Sequence, residues 1–172
     1  THFNNPNGLP DEKHYTTAND MAKIARAAWF NPTFRKYCTT GYYEIPSTNK
    51  FSETRYLLNH HKMMSGQAYA YDGVFGGKTG YTEAAGNTLV TFARRGNMYL
   101  VSVVMQSING AYSDTKSLLD YGFNNFSRSA IKAKKEICFS CLPAEKYLIK
   151  DYRKCVLFYS MKSPSVALPN DA

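Results

Sequence analysis

The residues best suited to chemistry lie in one glycine-rich run, residues 76–82, which reads Gly-Gly-Lys-Thr-Gly-Tyr-Thr. If this run is a β-strand, side-chain alternation puts Lys78, Gly80 and Thr82 on one face. The glycines would leave the backbone open, so we predict an edge strand that a ligand can join. A lysine and threonine hydroxyls beside exposed backbone N–H groups suit a carboxylate or a developing oxyanion. The alternative is an ordinary surface lysine in a glycine-rich strand.

The cysteines and histidines, in contrast, form no recognisable metal site. Cys138 and Cys141 have the spacing of half a zinc site, but no second Cys-x-x-Cys and no His-x-x-x-His follows. The other two cysteines are Cys38 and Cys155. Four cysteines are too few for a disulfide scaffold, so one disulfide and free thiols both stay open. We therefore predict neither a metal nor a cofactor.

A helix is predicted before the glycine-rich run. Residues 17–20, Thr-Ala-Asn-Asp, resemble a capping box with aspartate in place of the usual glutamate. Apolar residues follow at helical spacing until an Asn-Pro pair at residues 31–32 stops the run. This apolar stripe, which we predict to face the core, consists of Met21, Ile24, Ala25 and Ala28. A short helical turn over residues 32–37 and a short strand over residues 42–45 are expected next.

Three antiparallel strands are predicted over residues 74–80, 87–94 and 98–106, with an Arg-Gly-Asn turn between the last two. The third strand is apolar on one face and mixed on the other, as expected for a sheet that helices cover on both sides. A helix with Ser113 as its N-cap should follow over residues 112–126. The predicted fold class is therefore α/β (α+β), an antiparallel sheet flanked by helices.

Composition is consistent with about one packed domain. With 172 residues, 44% of them hydrophobic and 15% aromatic, the chain can bury a core, which excludes disorder over its whole length. No stretch has the roughly 18 to 20 apolar residues of a membrane span, and residues 1–10 do not resemble a signal peptide. The net charge is +8, with 9 basic and 4 acidic side chains in residues 123–172. We do not expect nucleic acid as a partner, since positive charge alone does not select one.

The sequence pattern changes after residue 126. We interpret residues 1–126 as one domain and residues 127–172 as the start of a β-rich one, because short apolar runs there lack a helical period. The clearest of these runs are residues 147–149 and 156–159. About 45 residues are marginal for an independent core, so this unit should depend on another segment.

Several sequence blocks stand in a fixed order along residues 1–126. They are Asn-Pro-Asn-Gly-Leu at 5–9, His-Tyr-Thr-Thr-Ala-Asn-Asp-Met-Ala at 14–22, Asn-Pro-x-Phe-Arg at 31–35, Tyr-Glu-Ile-Pro-Ser-Thr-Asn at 43–49, Gly-Lys-Thr-Gly-Tyr-Thr-Glu-Ala-Ala-Gly at 77–86 and Leu-Leu-Asp-Tyr-Gly-Phe at 118–123. Together they resemble the serine D-alanyl-D-alanine carboxypeptidases, the low-molecular-weight penicillin-binding proteins. The resemblance implies the C-terminal part of a β-lactamase/transpeptidase-like domain. Residues 127–172 match loosely, where the family has a β-rich C-terminal domain.

This resemblance implies a bacterial serine hydrolase of the cell envelope. Such an enzyme removes the terminal D-alanine from peptidoglycan stem peptides through an acyl-enzyme that penicillins and other β-lactams mimic. It is extracytoplasmic, and the full-length protein is membrane-associated. Two alternatives stay open: a class A-like β-lactamase, which turnover of penicillin would identify, and a noncatalytic module that binds the cell wall through the basic tail.

The resemblance also implies roles for single residues. The family's chemistry rests on Ser-x-x-Lys, Ser-x-Asn and Lys-Thr-Gly, and only the third motif stands in its expected place here. By this resemblance, Lys78 holds the terminal carboxylate of the substrate, with Thr79 as hydroxyl partner. Gly80 and Thr82 line the same substrate-binding face. The backbone N–H of Tyr81 is implied as one oxyanion donor.

The other two motifs occur only as short literal matches. Ser-x-x-Lys is found as Ser47/Lys50, Ser113/Lys116 and Ser129/Lys132, and Ser-x-Asn as Ser47/Asn49 and Ser107/Asn109. About one chance match to the first pattern is expected, and the pair on the predicted last helix follows Lys-Thr-Gly instead of preceding it. We therefore expect the nucleophile and base to be absent and this chain alone to be inactive. The apolar surface left uncovered predicts a partner, either a missing N-terminal segment or a swapped dimer partner.

Polar and aromatic residues before the glycine-rich run have a simpler interpretation. Asn59, His60 and His61 are expected to be exposed loop residues, with a role at the site rim as the alternative. Tyr69 and Tyr71 are expected to pack against the protein rather than to form a platform for substrate.

Overall fold

The computed structural model describes residues 1–107, 110–128 and 167–169. The elements are α1 (Ala18–Trp29), α2 (Pro32–Thr39), β1 (Tyr42–Ile45), β2 (Arg55–Leu58), β3 (Val74–Thr82), β4 (Gly86–Arg95), β5 (Met98–Ser107), α3 (Ala111–Asn125), β6 (Phe126–Arg128) and β7 (Ala167–Pro169). Strands β3, β4 and β5 form one antiparallel sheet in that order, while β1 with β2 and β6 with β7 form two-stranded pairs. The predicted fold class, an antiparallel sheet flanked by helices, is confirmed.

The three-stranded sheet has two differently covered faces. Helix α1 packs on one of them, which we call the α1 face, around Phe92 and Val101. Helix α3 packs on the opposite α3 face, where Leu119 meets Leu89 and Val104. Because neighbouring residues of a strand point to opposite faces, each strand contributes to both layers. The core therefore consists of two apolar layers, one on each side of β4.

Helix α1 begins where the sequence indicated but faces the sheet differently. The backbone N–H of Asp20 donates to Thr17 Oγ1 at 3.1 Å, which confirms the predicted cap. The predicted core stripe is wrong at Ile24, which is 43% exposed. The buried stripe consists of Ala18, Ala22 and Ala25. Small side chains let the helix approach the sheet closely, and this turns the larger Ile24 toward the rim.

Helix α3 begins earlier than predicted, and Ser113 is not its cap. The helix starts at Ala111, and its N-cap is Gly110, which makes no side-chain hydrogen bond. Gly110 has a φ of 103°, a conformation that glycine adopts most easily, and this allows the chain to turn from β5 into the helix. Ser107 Oγ donates to Asp114 Oδ2 at 2.6 Å and so ties the first turn of α3 to the end of β5.

Some predictions concern residues outside those that the structure describes. They are the cysteines Cys138, Cys141 and Cys155 and the strands over residues 147–149 and 156–159. The proposed domain boundary at residue 126 stays a prediction. In the part of the chain that is described, none of the helices is long and apolar enough to span a membrane. Cys38, which is half-buried, forms no disulfide within the described residues.

Candidate functional site

Strand β3 carries the glycine-rich run, and within the described residues it pairs only with β4. The register opposes Lys78 to Val90 and Gly80 to Thr88, which places both β3 residues on the α1 face. Lys78, Gly80 and Tyr81 are exposed. The strand therefore presents an exposed face and, among the described residues, an unpaired edge.

A cleft of about 1040 Å³ lies along this strand. It brings together all the predicted site residues: Lys78, Thr79, Gly80, Tyr81 and Thr82. The turn-rich segment over residues 3–11 and the rim of α1 form the opposite walls. Much of this wall is apolar and exposed, including Phe3 at 47%, Leu9 at 61% and Ile24 at 43%. The cleft thus combines one lysine, Lys78, and one aspartate, Asp11, with a wide apolar lining.

The Lys78 ammonium is the polar group of the cleft that is most available to a ligand. The Lys78 ammonium donates to the carbonyl oxygen of Thr79 at 2.5 Å, its only hydrogen bond among the described residues. An exposed ammonium held only by a neighbouring carbonyl can turn to an incoming carboxylate at little cost. Thr88 Oγ1 donates to the Gly80 carbonyl at 3.1 Å, which occupies that acceptor across the strand pair. The oxyanion role of the Tyr81 N–H stays a prediction.

Behind β3, on the α3 face, the structure places a residue that the sequence analysis misjudged. His61 is 1% exposed, not an exposed loop residue, whereas His60 is exposed as expected. The ring Nε2 of His61 lies 2.9 Å from Thr91 Oγ1. Burial lowers the pKa of His61, which favours the neutral imidazole. The sequence feature that indicates this burial is the neighbouring apolar pair Met63 and Met64, which pack into the core beneath α3 and bring the loop with them.

Two glycines of the run serve close packing rather than openness. A Cβ on Gly77 would lie 2.1 Å from the Val90 carbonyl oxygen and 2.6 Å from Cδ2 of His61. A Cβ on Gly76 would lie 2.6 Å from the Cys38 carbonyl oxygen. Both glycines are buried, so the prediction that the glycines expose the backbone holds only for Gly80. Side chains at positions 76 and 77 are excluded by their neighbours.

The loop between β2 and β3 is fixed to helix α3 by its tyrosines. Tyr71 donates to Asp120 Oδ1 at 2.7 Å, and Lys116 pairs with the same carboxylate at 2.6 Å. Burial and the bond to Asp120 raise the pKa of Tyr71 to about 12. Tyr69 stacks on Tyr112 with ring centroids 4.7 Å apart. The expectation that both loop tyrosines pack against the protein is confirmed.

The Ser-x-x-Lys matches do not approach the cleft. Ser47 and Lys50 are exposed between β1 and β2, and Ser113 and Lys116 are exposed on α3. Among the described residues, none of these four lines the cleft. Lying outside the described residues are Ser129, Lys132 and Asn109. In the described part of the chain, the cleft therefore contains the exposed Lys78 ammonium but neither serine of these pairs.

Comparisons with known proteins agree on one family. A family model described as D-alanyl-D-alanine carboxypeptidase matches residues 1–109. The D-alanyl-D-alanine carboxypeptidase DacF of Bacillus subtilis is 32% identical over 128 residues, which cover 73% of this chain and 31% of that protein. DacA of Haemophilus influenzae, with the same description, is 34% identical over 145 residues, 80% of this chain and 34% of that protein.

A solved structure supports the same relationship. The crystal structure of a D-alanyl-D-alanine carboxypeptidase from Mycobacterium tuberculosis matches with a TM-score of 0.60 at 32% identity. The match covers 72% of this chain and 47% of that one. The chain thus spans from about a third to about half of the length of these relatives.

Proposed function

This chain belongs to the D-alanyl-D-alanine carboxypeptidase family, and we propose that it supplies the substrate-binding strand of a serine hydrolase that removes the terminal D-alanine from peptidoglycan stem peptides. The observation that carries the proposal is the exposed Lys78 ammonium on an edge strand that lines the cleft. The substrate ends in a carboxylate. An ammonium can hold this group through charge-assisted hydrogen bonds, and the neighbouring Thr79 also lines the cleft.

In the proposed reaction, the stem peptide lies along β3 with its terminal carboxylate at Lys78. A serine hydroxyl attacks the carbonyl carbon of the penultimate D-alanine, and the Tyr81 N–H donates to the developing oxyanion. The C–N bond breaks, the terminal D-alanine leaves with a proton on its nitrogen, and water hydrolyses the ester. Penicillin acylates the same serine, because its ring amide stands in for the peptide bond.

The serine in this proposal comes from outside the described residues. No Ser-x-x-Lys pair of the described part lines the cleft, and the cleft wall includes exposed Phe3, Leu9 and Ile24. Exposed apolar patches of this kind mark places where another segment or another chain packs. We propose that a further segment of the protein or a swapped copy covers this wall and carries the nucleophile. The family relationship supports an extracytoplasmic location at the cell envelope.

A titration of the 172-residue chain with N-acetylated D-Ala-D-Ala tests the binding part of this proposal. We expect the free acid to bind more tightly than its C-terminal amide, because only the acid carries the charge that Lys78 recognises. The Lys78→Gln variant should lose about tenfold or more in affinity, as is typical of a hydrogen bond to a charged group. Lys62→Gln, at an exposed lysine in the neighbouring loop, is the matched control and should bind like the parent. Equal affinity for acid and amide would contradict the proposal.

Penicillin distinguishes the remaining alternatives. Intact-mass measurement after incubation with penicillin should show no adduct on the purified 172-residue chain. A penicilloyl adduct would contradict a nucleophile from outside and would bring Ser113 or Ser47 back into consideration. Rapid turnover of the drug would favour a β-lactamase, and retention on peptidoglycan that Lys78→Gln leaves unchanged would favour a noncatalytic cell-wall module.

A further inference from the structure

On the α3 face of the sheet, a row of polar side chains lies inside an otherwise apolar core layer. This polar row consists of His61, Thr91, Ser102 and Thr115, each no more than 1% exposed. Thr91 and Ser102 face each other across β4 and β5. Within the described residues, His61 Nδ1, Ser102 Oγ and Thr115 Oγ1 have no hydrogen-bond partner. Polar side chains in an apolar layer contribute less to stability than apolar ones of the same size, so we examined what this row contacts.

One end of the polar row touches the substrate-binding strand. The space a Cβ of Gly77 would need is taken by the His61 ring, with Cδ2 at 2.6 Å and Nε2 at 2.7 Å. Gly77 immediately precedes Lys78 in β3. The His61 imidazole therefore contacts the backbone of β3 at Gly77, the residue before Lys78.

The ring itself is fixed by its surroundings. The backbone N–H of His61 donates to Asn59 Oδ1 at 2.9 Å, and Asn59 Nδ2 donates to the Thr40 carbonyl at 3.0 Å. Nε2 and Thr91 Oγ1 lie 2.9 Å apart, so the ring is also hydrogen-bonded to the central strand. The Tyr112 ring of α3 contacts the imidazole edge to face, with centroids 6.4 Å apart. Backbone, side chain and helix together keep the ring in one orientation.

We propose that His61 is a positioning residue that sets the depth and direction of β3 and so places the Lys78 ammonium in the cleft. In the described sheet β3 pairs with one neighbouring strand only, and the glycines at positions 76, 77 and 80 leave it without side chains there to limit its backbone freedom. A planar ring held beneath it removes that freedom without requiring a side chain on Gly77. The consequence for ligand binding rests on the proposed function, whereas the effect on the strand does not.

Amide hydrogen exchange, measured by NMR, tests the positioning directly. In His61→Ala, those amides of residues 78–80 that donate to β4 should exchange about tenfold faster or more, while the amides of residues 101–103 in β5 that donate to β4 keep their rates. His61→Gln keeps an amide group near the Nε2 position and should restore most of the protection. His60→Ala, at the adjacent exposed histidine, is the matched control. A uniform rise across both strands, or no change in β3, would overturn the proposal.

Thr91→Val gives a second test, which also serves if His61→Ala does not fold. It removes the partner of Nε2 at little change in volume, and it should raise exchange at residues 78–80 more than at residues 101–103. Protection equal to the parent at residues 78–80 would count against the proposal.

Affinity for N-acetylated D-Ala-D-Ala separates this inference from the proposed function. We expect His61→Ala to weaken binding about fivefold to tenfold, in line with a positioning effect on a charged contact. Leu119→Val, in the same core layer but away from β3, controls for lost stability and should keep the affinity. A parent chain that does not bind would contradict the proposed function and leave the exchange pattern to decide on His61. Binding by His61→Ala equal to that of a binding parent would overturn the inference.

Discussion

The two sides of strand β3 are built for different purposes. On the α1 face, Lys78 and Gly80 are exposed and line the cleft. On the α3 face, Gly77 is buried against His61, and the layer beneath helix α3 is closed. Lys78 is thus exposed to water, whereas its neighbour Gly77 lies in the packed core. The difference indicates that β3 is held mainly by the packing around Gly77, while its exposed residues are left for a ligand.

The largest expected effect lies on the α3 face of the sheet and tests whether helix α3 closes that face. Leu119 is fully buried in α3, packed with apolar residues of the sheet. Leu119→Ala should lower the free energy of unfolding by about 2–5 kcal/mol, because it removes buried methyl groups and leaves a cavity. Urea denaturation measures the loss. Ser117→Ala, on the exposed side of the same helix, should change stability by less than about 0.5 kcal/mol. Equal losses in both variants would mean that α3 does not seal the sheet.

A pair of glycine substitutions compares the two sides within one strand. Gly77→Ala drives a Cβ into the Val90 carbonyl oxygen at 2.1 Å and should destabilise the protein by about 1–3 kcal/mol or more. In Gly80→Ala the new Cβ lies 2.6 Å from Thr88 Oγ1. Because that hydroxyl can rotate away, the free energy of unfolding should fall by less than about 1 kcal/mol. Thermal unfolding of the two variants measures the difference. Similar losses would show that the strand is equally tight on both faces.

The pH dependence of stability follows from the buried imidazole. Burial lowers the pKa of His61 in the folded chain below its ordinary value near 6.5. Below about pH 6.5 the unfolded chain then binds more protons than the folded one, so stability is full above that pH and falls as the solution becomes more acidic. One such group contributes a slope of at most about 1.4 kcal/mol per pH unit.

Substitution identifies the group behind this slope. Urea denaturation between pH 8 and pH 5 measures how far the free energy of unfolding falls on acidification. This fall should be smaller in His61→Gln than in the parent, and in His60→Gln it should equal that of the parent. A slope that His61→Gln leaves intact would mean that another group causes it.

The sequence predicted elements whose signals are local. Alternation along β5, the cap at Thr17 and the glycine-rich run all depend on neighbouring residues, and the three strands of the sheet and the first helix were placed correctly from them. Strand β2 was not predicted. The orientation of α1 was wrong at Ile24, because the sheet selects the alanine stripe that lets it approach. The burial of His61 was missed, because the apolar pair Met63 and Met64 beside it indicates burial only once α3, about 50 residues later in the chain, packs over the loop.

The candidate site divides in the same way. Lys78 and its neighbours were found because a short motif and the blocks around it carry the signal. The support behind them was missed, because Gly77 and His61 meet only after the loop between β2 and β3 folds beneath α3. A motif therefore identifies which groups contact a ligand, and the structure is needed to see what holds them in place.

The smallest expected effect on stability belongs to the residue with the clearest proposed role. The Lys78 ammonium is exposed, and its hydrogen bond goes to the carbonyl of the next residue. Lys78→Gln should therefore change the free energy of unfolding by less than about 0.5 kcal/mol while removing the charge from the cleft. Urea denaturation beside Lys62→Gln measures this. A loss above about 1 kcal/mol would mean that the open face also supports the fold, and the weaker ligand binding expected of Lys78→Gln could then be an indirect effect of a displaced strand.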